Sequence, residues 1–137
     1  MRVSYSLSII ILSALLTGLA QHPLHLGWFS WFSIVPYIFV LNNIKSIKDF
    51  IKAGLIWGVV YYFTVIFWLA MNIGTTPTIG IISMLAAVLY CSLNSIATSV
   101  IMGFLKFLYP QRWFWLLPSI WTAIEYVRNM DMLTGGP

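Results

Sequence analysis

The sequence predicts an all-α membrane protein, a polytopic bundle of about five transmembrane helices. Hydrophobic residues make up 61% of the 137-residue chain and charged residues only 7%, and the mean hydropathy is +0.92. Soluble domains carry about 25% charged residues. The apolar residues also gather into long runs, and a helix needs about 20 such residues to cross a bilayer. The spans are predicted at residues 3–20, 26–41, 53–73, 79–106 and 113–128.

The first span follows Arg2 and ends in small residues, Gly18 and Ala20. This pattern is also typical of a signal peptide. Because further hydrophobic spans follow directly, we favour a retained first helix, and the signal peptide stays an alternative. The second span is aromatic at its start, as in the aromatic belt of a membrane interface. It is short and interrupted by Pro36, so we expect it to be kinked or partly interfacial.

Residues 42–52 are the most polar stretch and are predicted to form a loop or an interfacial turn. The third span then carries Gly54 and Gly58 in a G-x-x-x-G spacing, which favours close helix packing over chemistry. The apolar run of the fourth span continues to Leu108 and would reach about 45 Å, so it must tilt or project from the bilayer. Its polar patch is predicted to bond neighbouring helices rather than substrate: Ser92, Asn94, Ser95, Thr98, Ser99.

Basic residues predict the orientation, because cytoplasmic loops carry an excess of Lys and Arg. With five spans and a cytoplasmic N-terminus, only Arg128 of the seven basic residues lies outside. The loops around His22 and Pro77 contain neither Lys nor Arg. We therefore expect the N-terminus inside and the C-terminus outside. The inside residues would be Arg2, Lys45, Lys48, Lys52, Lys106 and Arg112.

Several kinds of chemistry are excluded or weakly supported. The net charge of +4 comes without a basic cluster, so no nucleic-acid partner is predicted. His22 and His25 share a loop without an acidic neighbour, so we expect no metal site and no cofactor. Cys91 lies in an apolar run without a nearby His or Lys, and such surroundings keep a thiol inert.

Glu125 and Arg128 are the exceptional charges, since both lie within the fifth span. Three residues apart on a helix, they share a face and can pair. Ionisable residues inside a membrane are costly, which makes such a pair a functional-site hypothesis. The alternative is that both lie at the far interface, where Arg128 extends its charge to the headgroups.

An ordered set of motifs resembles the N-terminal membrane portion of the apolipoprotein N-acyltransferase family. It begins at G-L-I-W-G around Trp57 and continues through Trp68, Pro77, the L-A-A run of residues 85–87, and Tyr109-Pro110. The match is sharpest at L-P-S-I-W-T-A-I-E-Y-V-R, which contains Pro118, Trp121, Glu125 and Arg128, followed by L-T-G-G-P. One departure is Gly136, where the family usually has a bulky aromatic residue before the final proline.

The resemblance implies a specific function. Members of the family have an eight-helix membrane domain in the bacterial inner membrane and a nitrilase-like outer domain with a Glu, a Lys and a nucleophilic Cys. The Cys takes an acyl chain from a phospholipid and passes it to the N-terminal diacylglyceryl-cysteine of an apolipoprotein. None of these three residues can be placed on this chain, and Cys91 does not match the nucleophile. The resemblance thus implies an acyltransferase whose first five helices alone are inactive.

Four residues remain as candidates for facing lipid substrate or for forming a structural pair, and no catalytic residue is assigned. They are Trp68, Trp121, Glu125 and Arg128. The expected partners are a membrane phospholipid as acyl donor, a diacylglyceryl-modified apolipoprotein as acceptor, and the bilayer itself. The alternatives are a non-catalytic membrane protein, such as a transporter subunit or helical scaffold, and a lipid-binding module reused by an acyl- or glycosyl-transferring partner.

Overall fold

The structure is a computed structural model that describes residues 3–21, 27–74 and 76–128, with the side chains of residues 3–5, Trp31, Glu125 and Arg128 outside the description. All regular elements in these ranges are helical. The helices are α1 (Val3–Ala20), α2 (Ser30–Ser33), α3 (Val35–Asn43), α4 (Ile47–Ile66), α5 (Pro77–Leu108) and α6 (Leu117–Arg128). Short 3₁₀ turns cover Gly27–Phe29, Phe67–Met71 and Trp113–Leu116.

Helix α1 has the bounds that its apolar run predicts. It packs into the bundle rather than standing apart, since Ile10, Ser13 and Ala14 are buried. Gly18 lets it approach α4 closely, because a Cβ at this position would lie 2.7 Å from the Cβ of Thr64. The choice between a retained helix and a signal peptide stays a prediction.

The predicted second span is not one helix. The chain turns at Ile34, between α2 and α3, and Pro36 lies in the first turn of α3. Proline has no backbone N–H and kinks or breaks a helix that contains it, and here the helix is interrupted so that Pro36 lies where α3 begins. The predicted end is also wrong by two residues, since α3 continues to Asn43.

The prediction of a loop over residues 42–52 is correct only for its middle. Residues 47–52 are the first turns of α4, which therefore starts six residues before the predicted span. Ser46 is extended at the N-cap position, Asp49 favours the positive end of the helix dipole, and Phe50 is fully buried. Hydropathy alone missed this start because Lys48 and Lys52 are exposed on the other face.

The last two helices also begin at residues other than those predicted for their spans. Helix α5 starts at Pro77, two residues earlier than predicted, and the Thr76 hydroxyl accepts a hydrogen bond from the Ile79 N–H at 3.5 Å. The predicted helix over residues 113–128 begins as a 3₁₀ turn, and α6 starts only at Leu117. Pro118 is the second residue of α6, which is a position that proline tolerates.

The main packing interface joins α4 to α5 and confirms the packing role of the G-x-x-x-G spacing. A Cβ at Gly54 would lie 2.6 Å from Ser99 Oγ and 2.8 Å from the Ser95 carbonyl oxygen. At Gly58 it would lie 2.9 Å from Ser95 Cβ. Small residues on both helices thus bring the two backbones together.

Within the described ranges, two helical segments are long and apolar enough to cross a membrane, Ile47–Met71 and Pro77–Leu108. Ser6–Ala20 and Trp113–Ile124 are apolar but shorter. The regular elements of the described residues are thus all helical, which is consistent with a membrane helical protein, and the count of five spans stays a prediction. At ~1.5 Å per residue, the twelve residues of α6 extend about 18 Å, less than the ~30 Å hydrocarbon core.

Lys106 joins the C-terminal ends of α3 and α5. Its Nζ donates to three carbonyl oxygens, those of Leu41 at 3.1 Å, Asn42 at 2.7 Å and Ile44 at 2.6 Å. The ammonium has three donors, and it meets carbonyls at the end of α3, where a helix leaves its last carbonyl groups without intrahelical partners. The Leu41 carbonyl also accepts from the Ile44 N–H at 3.2 Å. The contact also places the C-terminal ends of both helices beside Lys45 and the start of α4. Basic residues thus gather at one end of the bundle.

Lys106→Met is expected to lower the free energy of unfolding in detergent by about 1–2 kcal/mol, because three charge-assisted bonds to a helix terminus are lost. Thermal melting monitored by circular dichroism provides the measurement. Lys48→Met is the matched control at the same end of the bundle, because Lys48 is exposed. Equal melting temperatures for the two variants would show that the three bonds add nothing to stability.

The orientation predicted from the basic residues can be tested by cysteine labelling in intact cells. Gln21→Cys is expected to react with an impermeant maleimide from outside, whereas Lys48→Cys and Gln111→Cys are expected to react only after permeabilisation. All three positions are exposed in the fold. The reverse labelling pattern would show that the orientation is opposite to the predicted one. Labelling of all three positions from outside would contradict the predicted placement of residues 48 and 111 in the cytoplasm.

Candidate functional site

An aromatic cluster forms the centre of the bundle. Trp57 of α4 is fully buried and stacks on Tyr61, with ring centroids 4.8 Å apart. Tyr37 of α3 lies 5.4 Å from Trp57, and Trp121 of α6 meets it edge to face at 5.5 Å. Such geometries stabilise aromatic pairs beyond the area that they bury. Through these ring contacts, Trp57 packs α3 and α6 against α4.

Hydrogen bonds satisfy the polar atoms around this cluster. The Trp57 Nε1–H donates to Ser13 Oγ at 3.2 Å, and the Ser13 hydroxyl donates to the Ser33 carbonyl. The Tyr37 hydroxyl bonds Ser99 Oγ across the bundle. In the described part, no buried side-chain nitrogen or oxygen lacks a partner. The cluster thus combines ring contacts with hydrogen bonds from three other helices, α1, α2 and α5.

The predicted bonding of the α5 polar patch to other helices holds for Ser99 and is wrong for Ser92 and Thr98. Their hydroxyls donate to carbonyls four residues earlier in α5, those of Val88 at 2.6 Å and Asn94 at 2.8 Å. Serine and threonine often satisfy a hydroxyl in this way on a helix in apolar surroundings. Most of the patch thus allows close packing instead of linking helices.

A cleft of about 430 Å³ separates α5 from α6. Its walls are apolar apart from the Asn94 side chain and the Tyr90 ring, and Tyr90 and Val127 are exposed at its rim. Beneath it, Asn94 also faces Trp121 and Ile124 across a narrower gap. Asn94 and Ile124 thus line both the cleft and the narrower gap beside Trp121. The walls of the cleft are formed by Tyr90, Asn94, Ala97, Ile101, Ile120, Ala123, Ile124 and Val127.

The structure does not bring the two candidate tryptophans to one place. Trp121 is half-buried against Trp57, which gives it a supporting role. Trp68 lies in the 3₁₀ turn after α4 with 58% of its surface exposed. None of the ring contacts between described residues involves Trp68. The two residues thus have different surroundings, one packed against the core and one facing outward.

Glu125 and Arg128 both belong to α6, so the three-residue spacing lies within one helix as expected. Their side chains are outside the described part of the chain. Trp121 contacts the core from the same helix, and positions four and seven residues later follow it on one face by helical periodicity. The pairing of Glu125 with Arg128 stays a prediction.

No group of three or more His, Cys, Asp or Glu side chains is placed to hold a metal in the part of the chain that the structure describes. His22 and His25 lie outside that part. Cys91 is half-buried on α5, against a small cluster formed by Tyr62, Met84 and Val88. These apolar surroundings fit the structural role predicted for Cys91.

Sequence reasoning missed the contacts that link distant parts of the chain. Ser13 and Ser33 support Trp57, and Lys106 binds the end of α3. These partners are separated by 20 to 65 residues. The Lys106 position near the end of α5 was visible in the sequence, but nothing there indicated that its partners belong to another helix.

Fold and cleft together define the class of the described part: a helical bundle with two apolar segments long enough to cross a membrane, a core of aromatic contacts, and an apolar cleft between α5 and α6. The chain belongs to the apolipoprotein N-acyltransferase N-terminal domain family, whose family model matches residues 13–137. The resemblance inferred from the motifs is thereby confirmed.

A curated relative agrees with this assignment. The chain is 28% identical over 110 residues to the apolipoprotein N-acyltransferase of Wigglesworthia glossinidia brevipalpis. The match covers 77% of this chain but only 22% of that relative. No solved structure matches. The chain is thus similar to the N-terminal part of a much longer acyltransferase.

Proposed function

We propose that residues 1–137 form the N-terminal membrane part of an apolipoprotein N-acyltransferase. The whole enzyme would transfer an acyl chain from a phospholipid to the N-terminal diacylglyceryl-cysteine of lipoproteins. The observation that carries this proposal is the family match over residues 13–137, which spans the bundle from the middle of α1 through α6. The enzyme would be a multi-pass protein of the bacterial inner membrane, with its N-terminus in the cytoplasm.

Within that enzyme, the described bundle would anchor the catalytic part and guide lipid towards it. Two features support this role. The bundle exposes large apolar side chains on nearly every helix, as a lipid-embedded surface requires. The cleft between α5 and α6 is open at its rim and apolar along its walls, with Asn94 as a polar group beside the core. Trp121 lies beside Asn94 at the narrower gap next to this cleft.

The experiment compares the full-length gene product with residues 1–137 in a strain depleted of its own N-acyltransferase. We expect the full-length protein to restore N-acylation of a reporter lipoprotein, measured as the mass increase of its N-terminal peptide. Insertion of both proteins into the membrane is verified by fractionation. Full-length protein that inserts without acylating the reporter would contradict the proposal and favour a non-catalytic scaffold.

Residues 1–137 alone are expected to transfer no acyl group, because neither a nucleophile with a neighbouring base nor an acid pair is present in the described part. Cys91 is the sole cysteine, and it lies in apolar surroundings. Mass spectrometry after incubation with phospholipid vesicles should show the unmodified protein. A thioester on Cys91 that disappears in Cys91→Ser would refute this prediction.

A further inference from the structure

The connection between α4 and α5 exposes apolar side chains outside the long helices. It projects Trp68, Met71 and Ile73, whose exposed fractions are 58%, 71% and 101%. These three side chains are called the apolar tip below. Large apolar side chains that project together from a turn indicate contact with something other than water.

The tip is held firmly against the bundle. Leu69 and Ala70, which lie between Trp68 and Met71 in the sequence, pack on the cluster of Tyr62, Met84 and Val88. A Cβ at Gly80 would lie 3.0 Å from the Ala70 carbonyl oxygen, so the 3₁₀ turn touches the first turn of α5. The Gly74 N–H donates to Asn72 Oδ1 at 3.0 Å and fixes the turn itself. The residues between and beside the tip side chains are thus packed or hydrogen-bonded, which positions the tip on the bundle.

Charge and distance indicate what the tip contacts. Residues 53–105 contain no Asp, Glu, Lys, Arg or His, so the tip lies within a long uncharged segment. The nearest charge before it is Lys52 on α4. Counting ~1.5 Å per residue to Phe67 and ~2 Å per residue along the 3₁₀ turn, Met71 lies at most roughly 30 Å from Lys52, because Ile66 departs from helical geometry between the two segments. This upper limit is close to the ~30 Å hydrocarbon thickness of a bilayer.

We propose that the apolar tip inserts into the headgroup–acyl boundary of the leaflet opposite Lys48 and Lys52, as an interfacial anchor. Tryptophan prefers this depth, because its ring is apolar and its indole N–H is polar. The exposed Asn72, Gly74 and Thr76 keep their polar groups within reach of headgroups and water. The anchor would fix the depth and tilt of α4 and α5. It does not depend on the proposed acyl transfer.

The test places a fluorescent probe on single cysteines at Met71 and Ile73 in a Cys91→Ala background, in the full chain. Lys48→Cys is the matched water-facing control, and an unchanged melting temperature shows that each labelled protein is folded. The proteins are reconstituted in phosphatidylethanolamine–phosphatidylglycerol vesicles. Quenching is measured with lipids spin-labelled near the headgroup or near the chain end, and with aqueous iodide.

We expect headgroup-proximal spin labels to quench the tip probes about twofold more strongly than labels near the chain end, as interfacial residues require. Iodide should quench the Lys48 probe but only weakly the tip probes. Strong iodide quenching at the tip would make it a water-exposed loop. Protection from every quencher would mean that protein covers it, and stronger quenching by chain-end labels would place it inside the hydrocarbon. Each of these three results would overturn the proposal.

Discussion

Gly54→Leu is expected to separate α4 from α5 and to leave little folded protein. Even a single Cβ at this position would lie 2.6–2.9 Å from atoms of α5, two of them backbone atoms of Ser95 and Ile96. Backbone cannot rotate aside as a side chain can, so the two helices must move apart. Overpacking a well-packed core costs about 1–3 kcal/mol, and we expect the leucine to exceed this range.

The smaller change Gly54→Ala isolates the steric effect. Alanine favours a helix over glycine by about 1 kcal/mol, so an isolated helix would gain stability. We expect a net loss instead, seen as a lower melting temperature in detergent. Gly27→Leu is the matched control, because a Cβ there meets nothing within 4 Å. Equal melting of Gly54→Leu and Gly27→Leu would show that the two helices do not pack as described.

The second large effect is expected at Glu125 and Arg128 in the full-length protein. If the two residues pair within the bundle, Glu125→Ala leaves the arginine charge unmatched in apolar surroundings. Removing one partner of a buried pair typically costs ~3–5 kcal/mol, whereas an interfacial pair contributes about 0–1 kcal/mol. Glu125→Gln should be milder than Glu125→Ala, because it keeps a hydrogen-bonding group.

The double variant, Glu125→Ala with Arg128→Met, distinguishes the models. For a buried pair it should be more stable than the less stable single variant, since neither charge is left alone. A direct role in binding lipid headgroups predicts near-normal melting with lost acyl transfer in each single variant and no rescue in the double. Thermal melting of the wild type, both single variants and the double variant provides the measurement. If all four melt together, the two charges lie at the membrane interface.

The sequence by itself determined the class of the molecule and most helix positions. Composition and apolar runs predicted a helical membrane protein, and the bounds of α1 agree with its run. The Gly54–Gly58 spacing predicted close packing, and the ordered motifs predicted the family. These features are local or compositional. They follow from what a helix in lipid requires, namely apolar side chains and satisfied backbone groups, whatever the helices later contact.

The errors in helix bounds also have local causes. The start of α4 at Ile47 was missed because exposed Lys48 and Lys52 hide the fact that Phe50 is buried on the opposite side. The break before Pro36 was expected as a kink or a partly interfacial segment, because proline can either kink or break a helix. In both cases individual residues indicated a change in the helix, but an average of hydropathy over the span does not detect single residues.

Only the tertiary structure decided which helices meet and through which atoms. The sequence does not distinguish Trp57 from the other aromatic residues of the spans. Its contacts with Tyr37, Trp121 and Ser13 place it at the centre of the bundle. Likewise the sequence marked Lys106 only as a basic residue. The structure shows that its Nζ, on α5, donates to a carbonyl oxygen at the end of α3. A sequence records neighbours along one helix, whereas these contacts depend on how helices cross, which is set by the summed packing of small and large side chains on several elements at once.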